Sequence, residues 1–358
     1  MKESRKIVVY SLVAIVVLAG LFGWRTYQMS KVNQEIKVDG IVVMDSGLTA
    51  EGIPSIDNPK FIDVATADEF LGDDLPGIDF ETNGAHRFYP VQILNWHQVV
   101  NDSFGVEQIA VTFDPLTYSS AVYSRILNGG ATTLNASGKV YNNNSILIDE
   151  KTGDQYIQLN GQGITRATGF PWLEELPSTF MKWSDWKVQN PGGEVLSNDT
   201  GSTFDYTRHP YGAYDTAKTV YFPLTNASAS LSPKWIVTSY NQDGKQISFA
   251  QKIMDGKGAL NEQIEGRSLV SLLDYDLGIT RIFDRNGSTN FTYDFEKHQI
   301  TDVETDSIWS PEGLCISGDL KGTQLARLPS RTSFWFAWSS QFPDTKIAGV
   351  DVIDETVK

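Results

Sequence analysis

The stretch Leu176–Pro191, LPSTFMKWSDWKVQNP, has a near-copy later in the chain, Leu328–Pro343, LPSRTSFWFAWSSQFP. Leu, Pro, Ser, both tryptophans, Gln and the final Pro coincide at one constant spacing, so Trp183 matches Trp335 and Trp186 matches Trp338. Tryptophan is rare, so two matches in register carry weight. Upstream, a second constant spacing aligns Gly84 with Gly244, Tyr89 with Phe249, Asn101 with Asn261, Asp102 with Glu262, Asp114 with Asp274 and Arg125 with Arg285. The chain therefore reads as a tandem duplication, roughly 76–193 and 236–345. Two copies are too few for an open solenoid. A pseudo-twofold pair of β-rich halves sharing a core is expected.

The fold class read from the sequence is β-rich α+β. Gln108–Phe113, Ala121–Leu127 and Asn144–Asp149 are rich in β-branched and aromatic types. Lys151-Thr-Gly-Asp154 reads as a hairpin turn. Short helices are expected at 67–71, 89–100 and 179–187. The three-residue spacing of the paired tryptophans puts both on one helix face, packed inward. With 358 residues there is ample material for a core, and the net charge of -15 argues against a nucleic-acid partner.

Residues 7–24 carry no charge and follow Lys2, Arg5 and Lys6. At the helical rise they span about 27 Å, near the thickness of a bilayer core. The expectation is one transmembrane helix acting as a signal anchor, with residues 1–6 cytoplasmic and the body extracytoplasmic. A cleaved signal peptide is the alternative, but Ala19-Gly20 is a poor cleavage pattern. The remaining boundaries are a linker at 25–52, a first half at 53–193, a connector at 194–235, a second half at 236–347 and a tail at 348–358. Cys315 stands alone, as a small buried apolar residue, and no internal disulfide is possible.

Positions kept in both halves are read as structural, including Arg125 and Arg285, expected to pair with a carboxylate such as Asp114 or Asp274. Positions found in one half are free to carry chemistry. Trp96 and His97 fail to repeat, because their counterparts are Gly256 and Lys257. His97 could act as base, acid or metal ligand, with Asp102 to orient its ring. A backbone-bonded, half-buried histidine is the plain alternative. The connector segment Asp205–Tyr214, DYTRHPYGAY, offers Arg208, His209 and Tyr211 as a second candidate surface. If it folds over the first half, His97 and His209 with Asp102 or Asp205 would suit zinc or copper in ligand type. His86 and His298 are expected to be solvated. The chain lacks CxxC, HExxH, Gly-x-Ser-x-Gly and phosphate-loop patterns.

The segments IPSIDNPKF, YPVQILNWHQVVND, AVTFDPLT, DYTRHPYGAY and SFWFAWSSQFPDT resemble the bacterial and archaeal domain-of-unknown-function family 3179, from about Ile53 to Ile347. Many members look secreted or membrane-anchored, which agrees with the anchor. The family carries no established activity. Where typical members read Cys-Pro-Leu-Cys, this chain has Asp114-Pro-Leu-Thr117, and where they often have Glu it has Gln98. The resemblance thus implies a thiol site that is degenerate here. Three readings follow. The first is an anchored module binding a small molecule, metal or protein through Trp96, His97, Asp102, Asp114, Thr117, Arg208, His209 and Tyr211. The second is an anchored scaffold. The third is a histidine-dependent enzyme with Thr117 or Ser119 as nucleophile candidates.

Overall fold

Strand pairing starts at Asn83-Gly84, whose left-handed backbones (φ 52° and 75°) turn Pro76–Thr82 back on Ala85–Pro90. Ile236–Gln242 and Lys245–Ala250 form the matching hairpin, with Gly244 at φ 85°. The computed structural model describes residues 35–38, 41–48, 52–165, 172–242, 244–285 and 289–350. It is β-rich, with several sheets and five short helices among the described residues: α1 (Val64–Ala67), α2 (Val91–His97), α3 (Trp183–Gln189), α4 (Gln251–Met254) and α5 (Trp335–Gln341). Residues 7–24 lie outside the described residues; among the described ones no helix is long and apolar enough to cross a membrane.

Each hairpin runs into a helix, α2 or α4, and then an antiparallel three-stranded meander. The first meander is Val99–Phe104, Glu107–Asp114 and Ser119–Ser124. The other is Ala259–Ile264, Arg267–Asp274 and Ile279–Asp284. Later strands return to close each hairpin sheet. Thr179–Lys182 pairs with Pro76–Thr82, and Arg331–Phe334 pairs with Ile236–Gln242. Glu194–Leu196 then runs parallel beside Ala85–Pro90, as Lys346–Ile347 does beside Lys245–Ala250. The registers correspond: Glu175 lies opposite Tyr123, and Arg327 opposite Phe283.

Several residues that recur in both halves do the same work. Asn101 clamps the Leu134 backbone through its amide and carbonyl, and Asn261 clamps Phe291 in the same way. Arg125 donates to the Thr132 carbonyl and Arg285 to the Thr289 carbonyl. The expected carboxylate partners are therefore replaced by main chain and neutral side chains: Arg125 bonds the Asp102 carbonyl at 3.2 Å and the side chains of Ser103 and Gln108, and Arg285 bonds the side chain of Asn290. Trp183, Trp186, Trp335 and Trp338 are all buried on α3 and α5. Cys315 is buried in the apolar cluster of Phe283 and Trp309.

Within the segment read as a linker, Glu35–Val38 and Ile41–Asp45 form a hairpin that joins Leu134–Tyr141. No strong periodicity marks it because one face of a short edge hairpin needs few apolar residues. The halves meet where the Thr117 carbonyl accepts from the Phe334 amide at 2.8 Å and the Tyr118 ring stacks on Phe334. Glu175 of the first half also pairs with Arg331 of the second.

Candidate functional site

Helix α2 ends because Gln98 takes a left-handed backbone (φ 58°), which sends the chain straight into the next strand. That conformation is unfavourable for a residue with a Cβ. Side-chain bonds hold it: Gln98 accepts from the Ser145 hydroxyl at 2.7 Å, and its amide donates to Tyr211 Oη at 3.2 Å. The preceding residue, His97, is buried with both ring nitrogens occupied. Nδ1 lies 2.7 Å from the Pro54 carbonyl and Nε2 2.6 Å from Tyr206 Oη. A carbonyl only accepts, so Nδ1 carries the proton and Nε2 accepts from the tyrosine. Burial lowers the His97 pKa, against a smaller upward pull from the Pro54 carbonyl. The ring is a neutral staple between the N-terminal segment and the connector.

Asp102 does not reach His97. Its carboxylate takes Arg87 Nη1 at 2.8 Å and Tyr89 Oη at 2.6 Å, on the hairpin strand behind it. The left-handed turn at Gln98 separates the two residues, which is why a sequence spacing that looks helical fails here. Trp96 faces outward enough to stack on Phe204 (4.8 Å between centroids), and its indole donates to the Arg208 carbonyl. Arg208 therefore contributes main chain, and its side chain lies in an exposed residue. His209 is exposed, with its Nδ1 accepting from the Tyr211 amide. His86, expected to be solvated, instead bonds Asp79 at 3.0 Å. No group of three or more His, Cys, Asp or Glu placed to hold a metal occurs among the described residues. Both ring nitrogens of His97 are taken up by Pro54 and Tyr206, and His209 Nδ1 by the Tyr211 amide.

Asp114 and Thr117 do come together, in a closed polar network. Asp114 caps its own turn, its Oδ1 accepting from the Leu116 and Thr117 amides at 2.7 and 3.2 Å. Asp274 makes the same cap on Asp276 and Leu277, and its other oxygen takes Arg281. In the first half, that second oxygen takes the Ser145 amide and Asn144 Nδ2. Burial raises the Asp114 pKa, opposed by the Ser145, Leu116 and Thr117 donors. Asn144 Nδ2 also lies within 2.9–3.2 Å of oxygens on Thr117, Ser119 and Gln158. Thr117 and Ser119 bond each other, and Ser119 donates to Gln158. Neither hydroxyl is bonded to His97, so no nucleophile–base pair exists there.

Above this network lies a cavity of about 250 Å³, bounded by Gln98, Leu116, Ser145, Tyr211, Tyr221 and Phe222, with Leu48 and Ile53 across from them. Burial, with a smaller effect from the Asp114 charge, pushes the Tyr211 phenol up to about 12, so it stays protonated. The opening thus offers the Gln98 amide, the Ser145 hydroxyl and the Tyr211 phenol within an apolar wall, with Ser46, Lys139 and Tyr221 also on its lining. The connector is fixed over it by the turn residues Asn142 and Asn143, both left-handed, whose side chains bond Thr225 and Phe222.

The family model described as Protein of unknown function (DUF3179) matches residues 50–345. The chain belongs to that family. No curated protein and no solved structure matches it. In this DUF3179 member, the positions where the resemblance places a cysteine pair, Asp114 and Thr117, sit at the centre of the buried network beneath the cavity. Sequence reasoning missed Asn144, Ser145 and Gln158, which complete the network. The run Tyr141-Asn-Asn-Asn-Ser145 was its available signal, since consecutive asparagines in a β-rich chain mark a turn whose side chains bond elsewhere.

Proposed function

We propose that this DUF3179 member is a small-molecule-binding module, anchored in the membrane through residues 7–24 with its body outside the cytoplasm, and descended from a tandem duplication. The matching strand orders of the two halves support the duplication. The observation that carries the binding reading is the cavity where Gln98, Ser145 and Tyr211, from three separate segments, converge beside the Asp114 network. Apolar walls with a few convergent polar groups are the usual make-up of a ligand pocket. The ligand that fits is small, partly apolar and able to exchange hydrogen bonds with an amide and two hydroxyls. Without sulfur at positions 114 and 117, no thiol chemistry can run in the network below. A scaffold role draws support from one observation, the saturated His97 staple.

The test is a thermal-shift screen of small neutral polyols and amides against the full chain, repeated on Tyr211→Phe. The reading expects a compound that stabilises the wild type and binds the variant about five- to tenfold more weakly, the worth of one hydrogen bond. A compound that stabilises both equally, or no compound at all, favours the scaffold. Elemental mass spectrometry of the wild type beside His97→Ala completes the test. Stoichiometric zinc or copper that disappears in the variant would overturn the reading.

A further inference from the structure

The two LPS segments, Leu176–Ser178 and Leu328–Ser330, border a cleft region between the halves made of adjoining pockets that share Ser178 and Arg327. One is a chamber of about 260 Å³ with an apolar wall of Tyr118, Phe180, Met181, Leu277 and Ile279. Another, of about 540 Å³, is edged by Glu81, Glu107 and Glu312.

Arg327 is the cation shared by the two larger of these pockets. Its guanidinium donates to Thr179 Oγ1 at 3.2 Å and to the Ser178 carbonyl at 3.3 Å. No carboxylate lies within ion-pair distance among the described residues, although a second arginine, Arg281, is nearby and already paired with Asp274. Arg327 is an exposed residue whose guanidinium sits partly desolvated in the cleft; its pKa is pushed down to about 10, by desolvation first and by the Arg281 charge second, against an upward pull from Asp79, and the group remains a cation at neutral pH. A guanidinium has five N–H donors, so those not bonded to Thr179 or Ser178 face solvent in the cleft and are open to a ligand.

Register shows that the two sides of the seam differ in charge. Glu175 opposite Tyr123 corresponds to Arg327 opposite Phe283, and Thr179 opposite Asp79 corresponds to Arg331 opposite Ser239. On one side of the molecule, Glu175 and Arg331 make a buried ion pair. On the other, Arg327 faces Thr179 and makes no ion pair, the nearest negative charge acting on it being Asp79 across the strand from Thr179. We propose that the cleft binds a small monocarboxylate with an apolar body, its carboxylate on Arg327 and its body in the chamber of Tyr118, Phe180 and Met181. The ligand supplies an anion to Arg327, the cation that stands where Glu175 stands in the other half. The acidic edge selects against polyanions such as phosphate, because each extra negative charge is repelled by Glu81, Glu107 and Glu312.

This site is separate from the cavity beneath Tyr211 and stands without it. The test is isothermal titration of the full chain with 3-phenylpropionate, its amide 3-phenylpropionamide, and inorganic phosphate. The acid is expected to bind, and the amide and phosphate to bind at least tenfold more weakly. Arg327→Gln is expected to weaken the acid about ten- to a hundredfold, as loss of a charge-assisted bond does, and Arg327→Lys less. Thr332→Phe, which copies the register counterpart Phe180 into the chamber, is expected to weaken it as well. Melting curves establish that each variant is folded. The proposal is overturned if no acid binds, if amide or phosphate binds as well as the acid, or if a folded Arg327→Gln keeps full affinity.

Discussion

At the scale of single residues, the neutral state of His97 has a measurable consequence. Its pKa is depressed in the folded chain, so the unfolded chain takes up the proton first as the pH falls. The contribution is complete above the unfolded value of about 6.5 and is lost progressively as the pH drops toward the folded value. His97→Gln, which cannot titrate, is expected to narrow its stability gap to the wild type between pH 7.5 and pH 5.5 in urea unfolding; a constant gap would mean that the ring is not held neutral. Asp102 makes the complementary case. It is the anion for Arg87, whose guanidinium also lies 3.9 Å from the Phe61 ring centre and 4.2 Å from that of Phe104. Asp102→Ala leaves that cation facing aromatic rings with only Glu194, and leaves the buried Tyr89 hydroxyl without an acceptor. The expected loss is about 3–5 kcal/mol by denaturant unfolding, with Asp102→Asn losing less. Trp96-His97 was legible as the place where the halves differ. The partners of His97 and Asp102 were not, because they lie on other strands and on the connector, which sequence spacing does not order.

At the scale of elements, the two tryptophan helices differ in a way that substitution can read. Trp186 donates its indole N–H to the buried carboxylate of Asp79 at 2.7 Å, and Trp183 donates to Asp68. In α5, Trp338 donates to Thr345, whereas Trp335 Nε1 has no partner among the described residues. Trp186→Phe is therefore expected to cost about 1–3 kcal/mol beyond the change in packing, because Asp79 loses a donor. Trp335→Phe should cost only its packing change. Equal losses in the two variants, measured by chemical denaturation, would sink this distinction. The paired tryptophans were readable from sequence because aromatic residues at helical spacing have one natural destination, the core. The strand Asn144–Asp149 and the turn at Lys151–Asp154 were likewise readable, since Gly153 takes its positive φ. Helix limits were not. The expected 67–71 helix is seated at 64–67 because Asp63 caps the Thr66 amide, and the expected 89–100 helix stops at His97 because Gln98 turns left-handed. Residues 179–182 form a strand before α3 begins, since they close the hairpin sheet.

At the scale of the whole molecule, the halves are joined through the Glu175–Arg331 pair and the Thr117–Phe334 bond. Arg331→Met leaves Glu175 unpaired in a desolvated seam and is expected to cost about 3–5 kcal/mol. Adding Glu175→Leu should restore most of that loss, a coupling that a double-mutant cycle reads directly. A double variant no more stable than the single one would place the seam's stability elsewhere. The return strands carry a further consequence for synthesis. Pro76–Thr82 acquires its outer neighbour only when Thr179–Lys182 has been made, and Ala85–Pro90 waits longer still for Glu194–Leu196. At ribosomal speeds of about 5–20 residues per second, that hairpin stays open-edged for about 5–20 s. An unpaired edge is a template for other chains, so the nascent protein has to be kept apart from its neighbours until the segment after the second tryptophan of each half emerges.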